Sequence, residues 1–179
     1  MSVAAKRYAK ALMDVLYPDK AEAGLQQLQG FAALLKEQPP ARQFLQNPTT
    51  AGDRRNRLLK EVSDAFVFDR RVANFVNILT DRNRLPILEE IIGEYQKLLD
   101  ERLGIVRARV TTARALDPTQ QQKLARKLQQ ATGKQVRMDV AIDPSLIGGV
   151  VAQVGSTIYD GSVRQQLEAF FNDLRQDLL

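Results

Sequence analysis

Apolar residues recur every three to four positions along the first hundred residues, then at every second position just beyond residue 104. The first rhythm predicts helices. A helix capped by Ser2 runs to about Tyr17, where Pro18 stops it. Asp19 and Glu22 have the spacing of a capping box for a second helix, whose stripe is Ala21, Leu25, Leu28, Ala32 and Leu35. Pro39-Pro40 break it. A short helix follows from about Ala41 to Gln46 and ends at Asn47-Pro48. A fourth fits Ala51 to about Ala65, with Leu58, Leu59, Val62 and Ala65 inward, and Asp69 caps a fifth that ends near Arg82. Pro86, in a first turn, opens a sixth helix bearing Leu88, Ile91, Ile92, Tyr95, Leu98, Leu99 and Leu103, and Gly104 suits its C-terminal end.

From Ile105 the rhythm changes. Val106, Ala108 and Val110 alternate with Arg107, Arg109 and Thr111, as in a half-buried strand. Asp117-Pro118 start a helix with Leu124 and Leu128 that Gly133 stops, and Val136, Met138, Val140 and Ile142 alternate as a second strand. Gly148 and Gly149 then open a short apolar strand, Gly155-Ser156 turn it, and Thr157 to Asp160 return. Gly161 releases the chain, and Ser162 caps a last helix carrying Leu167, Phe170, Phe171 and Leu174. The expected fold is mainly α: an N-terminal six-helix bundle over 1–104, then a small α+β domain over 105–179 in the order β-α-β-β-α.

Two of the predicted helices are too apolar for one core. A helix facing a single core needs an apolar arc a little over ~100° wide. On a helical wheel, Ala4, Ala5, Tyr8, Ala9, Ala11, Leu12, Val15 and Leu16 of the first helix span about 160°. In the fifth, Val72, Ala73, Phe75, Val76, Ile78, Leu79 and Thr80 span about 220°. One reading is that both lie centrally and are covered by their own neighbours. The other is that they sit side by side and leave a groove for a partner's amphipathic helix, with Ala4 and Ala11 permitting close approach and Tyr8, Phe75 and Ile78 supplying area. Five anchors at ~1.5–3 kcal/mol each give roughly 7–15 kcal/mol gross, which association costs reduce to micromolar or nanomolar binding.

Composition narrows the chemistry. The 179 residues contain no histidine and no cysteine, which removes the commonest general base, the commonest metal ligand and every thiolate. Glu89-Glu90 and Asp100-Glu101 sit in a helical pattern beside Lys97 and Arg102 and read as a solvated face. No apolar run approaches the ~18 residues of a membrane span, and the amphipathic first segment, with Asp14 and Asp19, reads as a structural helix and not a transit peptide. Net charge is +5, but residues 104–137 hold eight basic side chains against Asp117 alone, while residues 138–179 hold two basic and six acidic ones. Such polarity orients encounters with a charged partner. Nucleic acid is a poor candidate for it, because residues 104–137 contain no Phe, Tyr or Trp on which bases could stack.

The string from Leu146 to Arg164 is the most specific one. Its glycines supply a tight hairpin, and they lack the G-x-x-x-x-G-K-[ST] spacing of a phosphate loop. I-G-G-V-x-x-x-V-G followed by D-G-S-V-R resembles the C-terminal signature of the delta subunit of F-type ATP synthases, the bacterial counterpart of the mitochondrial oligomycin-sensitivity-conferring protein. R-Y-A-K-A-L (Arg7 to Leu12) and N-R-L-P-I-L (Asn83 to Leu88) resemble that family at the expected places. The resemblance implies a stator adapter in the peripheral stalk, without cofactor or active site. It implies that the bundle receives the alpha-subunit N-terminal helix between helices 1 and 5, placing Ala4, Tyr8, Ala11, Val15, Phe75 and Ile78 at the contact. The C-terminal domain then meets b-type stalk subunits, with Gly148, Gly149, Gly155, Asp160, Gly161 and Arg164 defining its fold. It also implies one copy in a hetero-oligomer, a monomer when isolated. The place implied is the cytoplasmic face, or its stromal equivalent, of a plasma or thylakoid membrane, reached only through the complex.

Overall fold

A computed structural model describes residues 2–168. The chain is mainly helical with a small four-stranded sheet in its C-terminal part, and it divides into two compact units between Asp100 and Glu101. The first unit carries α1 (Val3–Leu16), α2 (Ala21–Glu37), α3 (Pro39–Gln46), α4 (Gly52–Ala65), α5 (Arg70–Asp81) and α6 (Leu88–Leu103), whose last turn crosses the division. Its core is one apolar cluster to which every helix contributes, with Leu28, Phe31, Leu59, Leu79, Ile91 and Tyr95 among its fully buried members. The Tyr95 hydroxyl donates 3.1 Å to the carbonyl of Ala21, and burial pushes its pKa up to about 12. That satisfies a polar group which would otherwise be costly there.

Helix ends depart from the sequence expectation at four places. The chain turns through residues 17–20, with the Lys20 N–H donating to the Leu16 carbonyl, so α2 starts one residue late for Asp19 to cap it. Lys20 occupies the cap position and sends its ammonium to Asp69 instead. Pro39 and Pro40 do not separate α3 from its start but form its first turn, where a missing N–H costs nothing. Pro86 lies in a 3-10 turn, Leu85–Ile87, that precedes α6. Ser2 stands at the cap of α1 without a side-chain bond, its N–H donating 2.9 Å to Glu90 Oε2.

In the second unit β1 follows the period-2 pattern, whereas in β2 (Gln135–Ile142) Val136 and Met138 are half-buried but Val140 and Ile142, expected on the same face, are exposed. β1 (Ile105–Thr112) buries Ala108, Val110 and Thr112 and exposes Arg107 and Arg109. α7 (Pro118–Thr132) begins with a capping box, Asp117 accepting 2.7 Å from the Gln120 N–H while Gln120 accepts from the Asp117 N–H. It crosses to β2 (Gln135–Ile142), which pairs parallel to β1 with Val110 opposite Val140. β3 (Val150–Val154) runs antiparallel on the other side of β1, and β4 (Thr157–Asp160) completes a hairpin, giving the order β2-β1-β3-β4. Leu124 and Leu128 of α7 cover Ala108, Val110, Ala152 and Val154. Residues 163–168 are helical. Leu167 is exposed at their end, and Phe170, Phe171 and Leu174, expected on the same stripe, lie outside the described residues.

Candidate functional site

α1 carries two apolar stripes, one buried in the core and a second of which only Tyr8 packs partly against it. Ala5, Ala9, Leu12, Met13 and Leu16 are buried. Ala4, Tyr8, Ala11 and Val15, at successive spacings of four, three and four residues, form a second stripe on the outer side. Ala4 and Tyr8 are half-buried, Ala11 is exposed, and Val15 is 51% exposed. α5 packs beside α1 and uses most of its wide arc internally, burying Val72, Phe75, Val76, Leu79 and Thr80 while Ile78 stays 47% exposed.

The result is an open groove of about 470 Å³ lined by Ala4, Tyr8, Ala11 and Ile78, with Arg7, Arg82 and Arg84 at its edge. Phe75 lies beneath, its ring edge-on to Tyr8 at 6.2 Å between centroids. Because Phe75 is already only 7% exposed, it adds little area to any contact. The gross gain expected from five anchors therefore shrinks toward the lower, micromolar end of the range.

The groove's two walls are held by polar bonds at its ends. Asp69 caps α5 by accepting 2.9 Å from the Arg71 N–H, and it also accepts from Lys20 Nζ at 2.7 Å and Arg71 Nε at 3.2 Å. Together these hold its carboxyl well below the usual range, the Lys20 bond foremost. Arg71 Nη1 then donates 2.9 Å to the carbonyl of Val15, pinning the start of α5 to the end of α1. At the other end of α5, Asn83 adopts a positive φ of 52° and the Arg84 N–H reaches back 2.7 Å to the Leu79 carbonyl. The buried Arg55 of α4 braces this corner through its Nη1, which donates 3.3 Å to the Thr80 carbonyl and 3.4 Å to Asn83 Oδ1.

In the second unit, Gly149 has φ +87°, and a Cβ there would run into the Gly161 carbonyl oxygen and the Ser162 Cα. The Gly161 N–H donates 2.9 Å to the Val150 carbonyl, and the Val163 N–H 3.1 Å to that of Gly148. The two ends of the hairpin thus touch backbone to backbone. Asp160 accepts from the Ser162 N–H, which lowers its pKa, and the Ser162 Oγ accepts from the Gln165 N–H as a helix cap. Gly155 makes the tight turn with φ +61°. Arg164 points to solvent, its Nε 3.4 Å from Glu168. A cleft of about 660 Å³ opens beside Gly148 and Gly149, with Leu116, Leu124 and Ile147 lining it between Arg114, Lys123 and Lys127.

Residues 4–174 match the model of the ATP synthase delta (OSCP) subunit family. The chain belongs to that family. It is 40% identical over 177 residues to ATP synthase subunit delta of Anaeromyxobacter dehalogenans, covering 98% of this chain and 99% of that one. To the subunit delta of Myxococcus xanthus it is 38% identical, covering 96% of each. Its fold matches a chain of the Toxoplasma gondii mitochondrial ATP synthase hexamer with a TM-score of 0.67 at 21% identity, over 97% of this chain and 98% of that chain. As a delta (OSCP) subunit it is a non-catalytic component of the ATP synthase peripheral stalk. Among the described residues no helix is long and apolar enough to cross a membrane, and no group of acidic side chains is arranged to hold a metal ion.

For the delta (OSCP) chain the structure brings Ala4, Tyr8, Ala11 and Ile78 to one groove, continues their stripe to Val15, and sets Phe75 under its floor. It also puts Gly148, Gly149, Asp160 and Gly161 at one crossing, with Gly155 at the far turn and Arg164 outside. Sequence reasoning missed Arg7, Arg82 and Arg84 at the groove edge, and Arg55 at the corner. Arg55 was findable: it extends the Leu58, Leu59, Val62 stripe one turn toward the N-terminus.

Proposed function

We propose that this delta (OSCP) subunit is a stator adapter that ties the catalytic head of a proton-translocating F-type ATP synthase to its b-subunit stalk and resists rotor torque. In this reading the first unit binds the N-terminal helix of an alpha subunit, and the outer stripe Ala4, Tyr8, Ala11 and Val15 faces it together with Ile78. The observation that carries the reading is the second apolar stripe of α1, partly open beside Ile78, with Ala11 and Val15 exposed. An apolar groove with small residues on one wall suits an amphipathic helix. The second unit meets the b-type subunits, a role supported by the basic bias of residues 104–137 and the apolar cleft between Arg114, Lys123 and Lys127. One copy serves in the hetero-oligomer, the isolated chain is a monomer, and the membrane is reached only through the complex, on its cytoplasmic or stromal face.

Titration calorimetry of the full chain with a synthetic alpha-subunit N-terminal peptide tests the head contact, with micromolar binding expected. Absence of heat at high micromolar concentration overturns it. A pull-down from energy-transducing membranes, scored for alpha and b subunits, tests the adapter role. Recovery of neither sinks it.

A further inference from the structure

We infer that one end of the α1–α5 groove is a carboxylate receiver, so that the helix it accepts carries acidic side chains beside its apolar stripe. This rests on the helix-docking reading and adds the chemistry of the ligand to it. Arg7 approaches the groove from α1, and Arg82 and Arg84 approach from the end of α5, around Ala4 and Ile78. No acidic residue lines the groove. Among the described residues, no ion pair or side-chain hydrogen bond engages these three guanidinium groups, whereas three carboxylates elsewhere in the unit have partners. Asp69 holds Lys20 and Arg71, Glu94 holds Lys97, and Glu90 takes the Ser2 N–H.

Three like charges converging on an apolar floor repel one another, and a carboxylate placed among them relieves that repulsion. Guanidinium groups present planar forks that match carboxylates, and the match strengthens once an apolar helix excludes water beside it. The far end of the groove differs. There Asp69 pairs with both Lys20 and Arg71. α1 and α5 run antiparallel, because Arg71 meets Val15 while Arg82 lines the groove with Ala4. The three guanidinium groups without a carboxylate partner therefore gather where α1 begins and α5 ends.

The test uses the full chain and two synthetic peptides: the alpha-subunit N-terminal segment encoded with this chain, and the same segment with every Asp and Glu replaced by its amide. At low salt the amide peptide is expected to bind about tenfold more weakly, and added salt closes the gap. Arg82→Gln with Arg84→Gln weakens the acidic peptide by a similar factor and leaves the amide peptide unchanged, with circular dichroism confirming the fold. Equal binding of the two peptides, or equal weakening of both by the variant, overturns the carboxylate receiver while leaving the docking reading intact. Binding of neither peptide removes the docking reading, and this inference goes with it.

Discussion

The Tyr8 ring meets the Phe75 ring edge-on, with centroids 6.2 Å apart and planes inclined at 71°. The pair divides two jobs between two helices. Phe75 belongs to the core and supports the groove from below, while Tyr8 remains half-buried and faces outward. If the groove receives a helix as proposed, a buried ring beneath it lowers the ordering cost of docking.

Replacing Phe75 by Ala is expected to cost about 3 kcal/mol of stability, because a buried ring leaves a cavity. Urea unfolding reads this directly. A loss below about 1 kcal/mol means that the site collapses around the smaller side chain or that the ring is not buried.

Ala11→Asp acts in the opposite way. Ala11 is exposed, so a carboxylate there costs the free protein little, yet a docked helix would desolvate it. Affinity for the alpha-subunit peptide is expected to fall at least about tenfold, with circular dichroism and melting temperature unchanged. Unchanged affinity removes this face of α1 from the interface.

Asp69 links acid stability to groove geometry. Its folded pKa is depressed by Lys20 and Arg71, so its contribution is complete above the unfolded value and is lost as pH falls through the folded one. Asp69→Ala removes the α5 cap and both ion pairs at an expected cost of about 1–2 kcal/mol near neutral pH. The difference between the two proteins should shrink below about pH 4 in urea titrations. A difference that stays constant down to pH 2 contradicts the assignment.

Tyr95 gives the alkaline counterpart. Burial raises its pKa from 10.0 to about 12, so stability is full below 10 and declines as pH climbs toward 12. Tyr95→Phe loses the bond to the Ala21 carbonyl, at about 1 kcal/mol, and should flatten the decline. Ultraviolet titration of tyrosinate follows the same ionisation.

Gly149→Ala and Gly155→Ala separate close approach from turn geometry. Both glycines have positive φ, but only at Gly149 would a Cβ strike backbone. Alanine at 155 is expected to cost about 1 kcal/mol, and at 149 clearly more, read as lost amide-exchange protection in β3 and β4. Equal effects at the two positions refute the packing role of Gly149.

The sequence by itself determined where the elements lie. Period, proline and glycine place α1 to α7 and β1 to β4 within a few residues, because these signals act through local sterics and hydrogen bonds. Asp117 caps α7 as expected, with Gln120 completing a box, and the Asp19–Glu22 box did not form, because the long-range attraction between Lys20 and Asp69 and the turn before α2 lie outside a four-residue window. The excess of apolar surface on α1 and α5 was legible in the same way. What only the tertiary structure decided is how each excess is used. Phe75 and Ile78 are three residues apart on one apolar arc, yet one is enclosed and the other left open. Burial depends on which distant helices arrive, and neither that nor the gathering of Arg7, Arg82 and Arg84 is a property of any single stretch of chain.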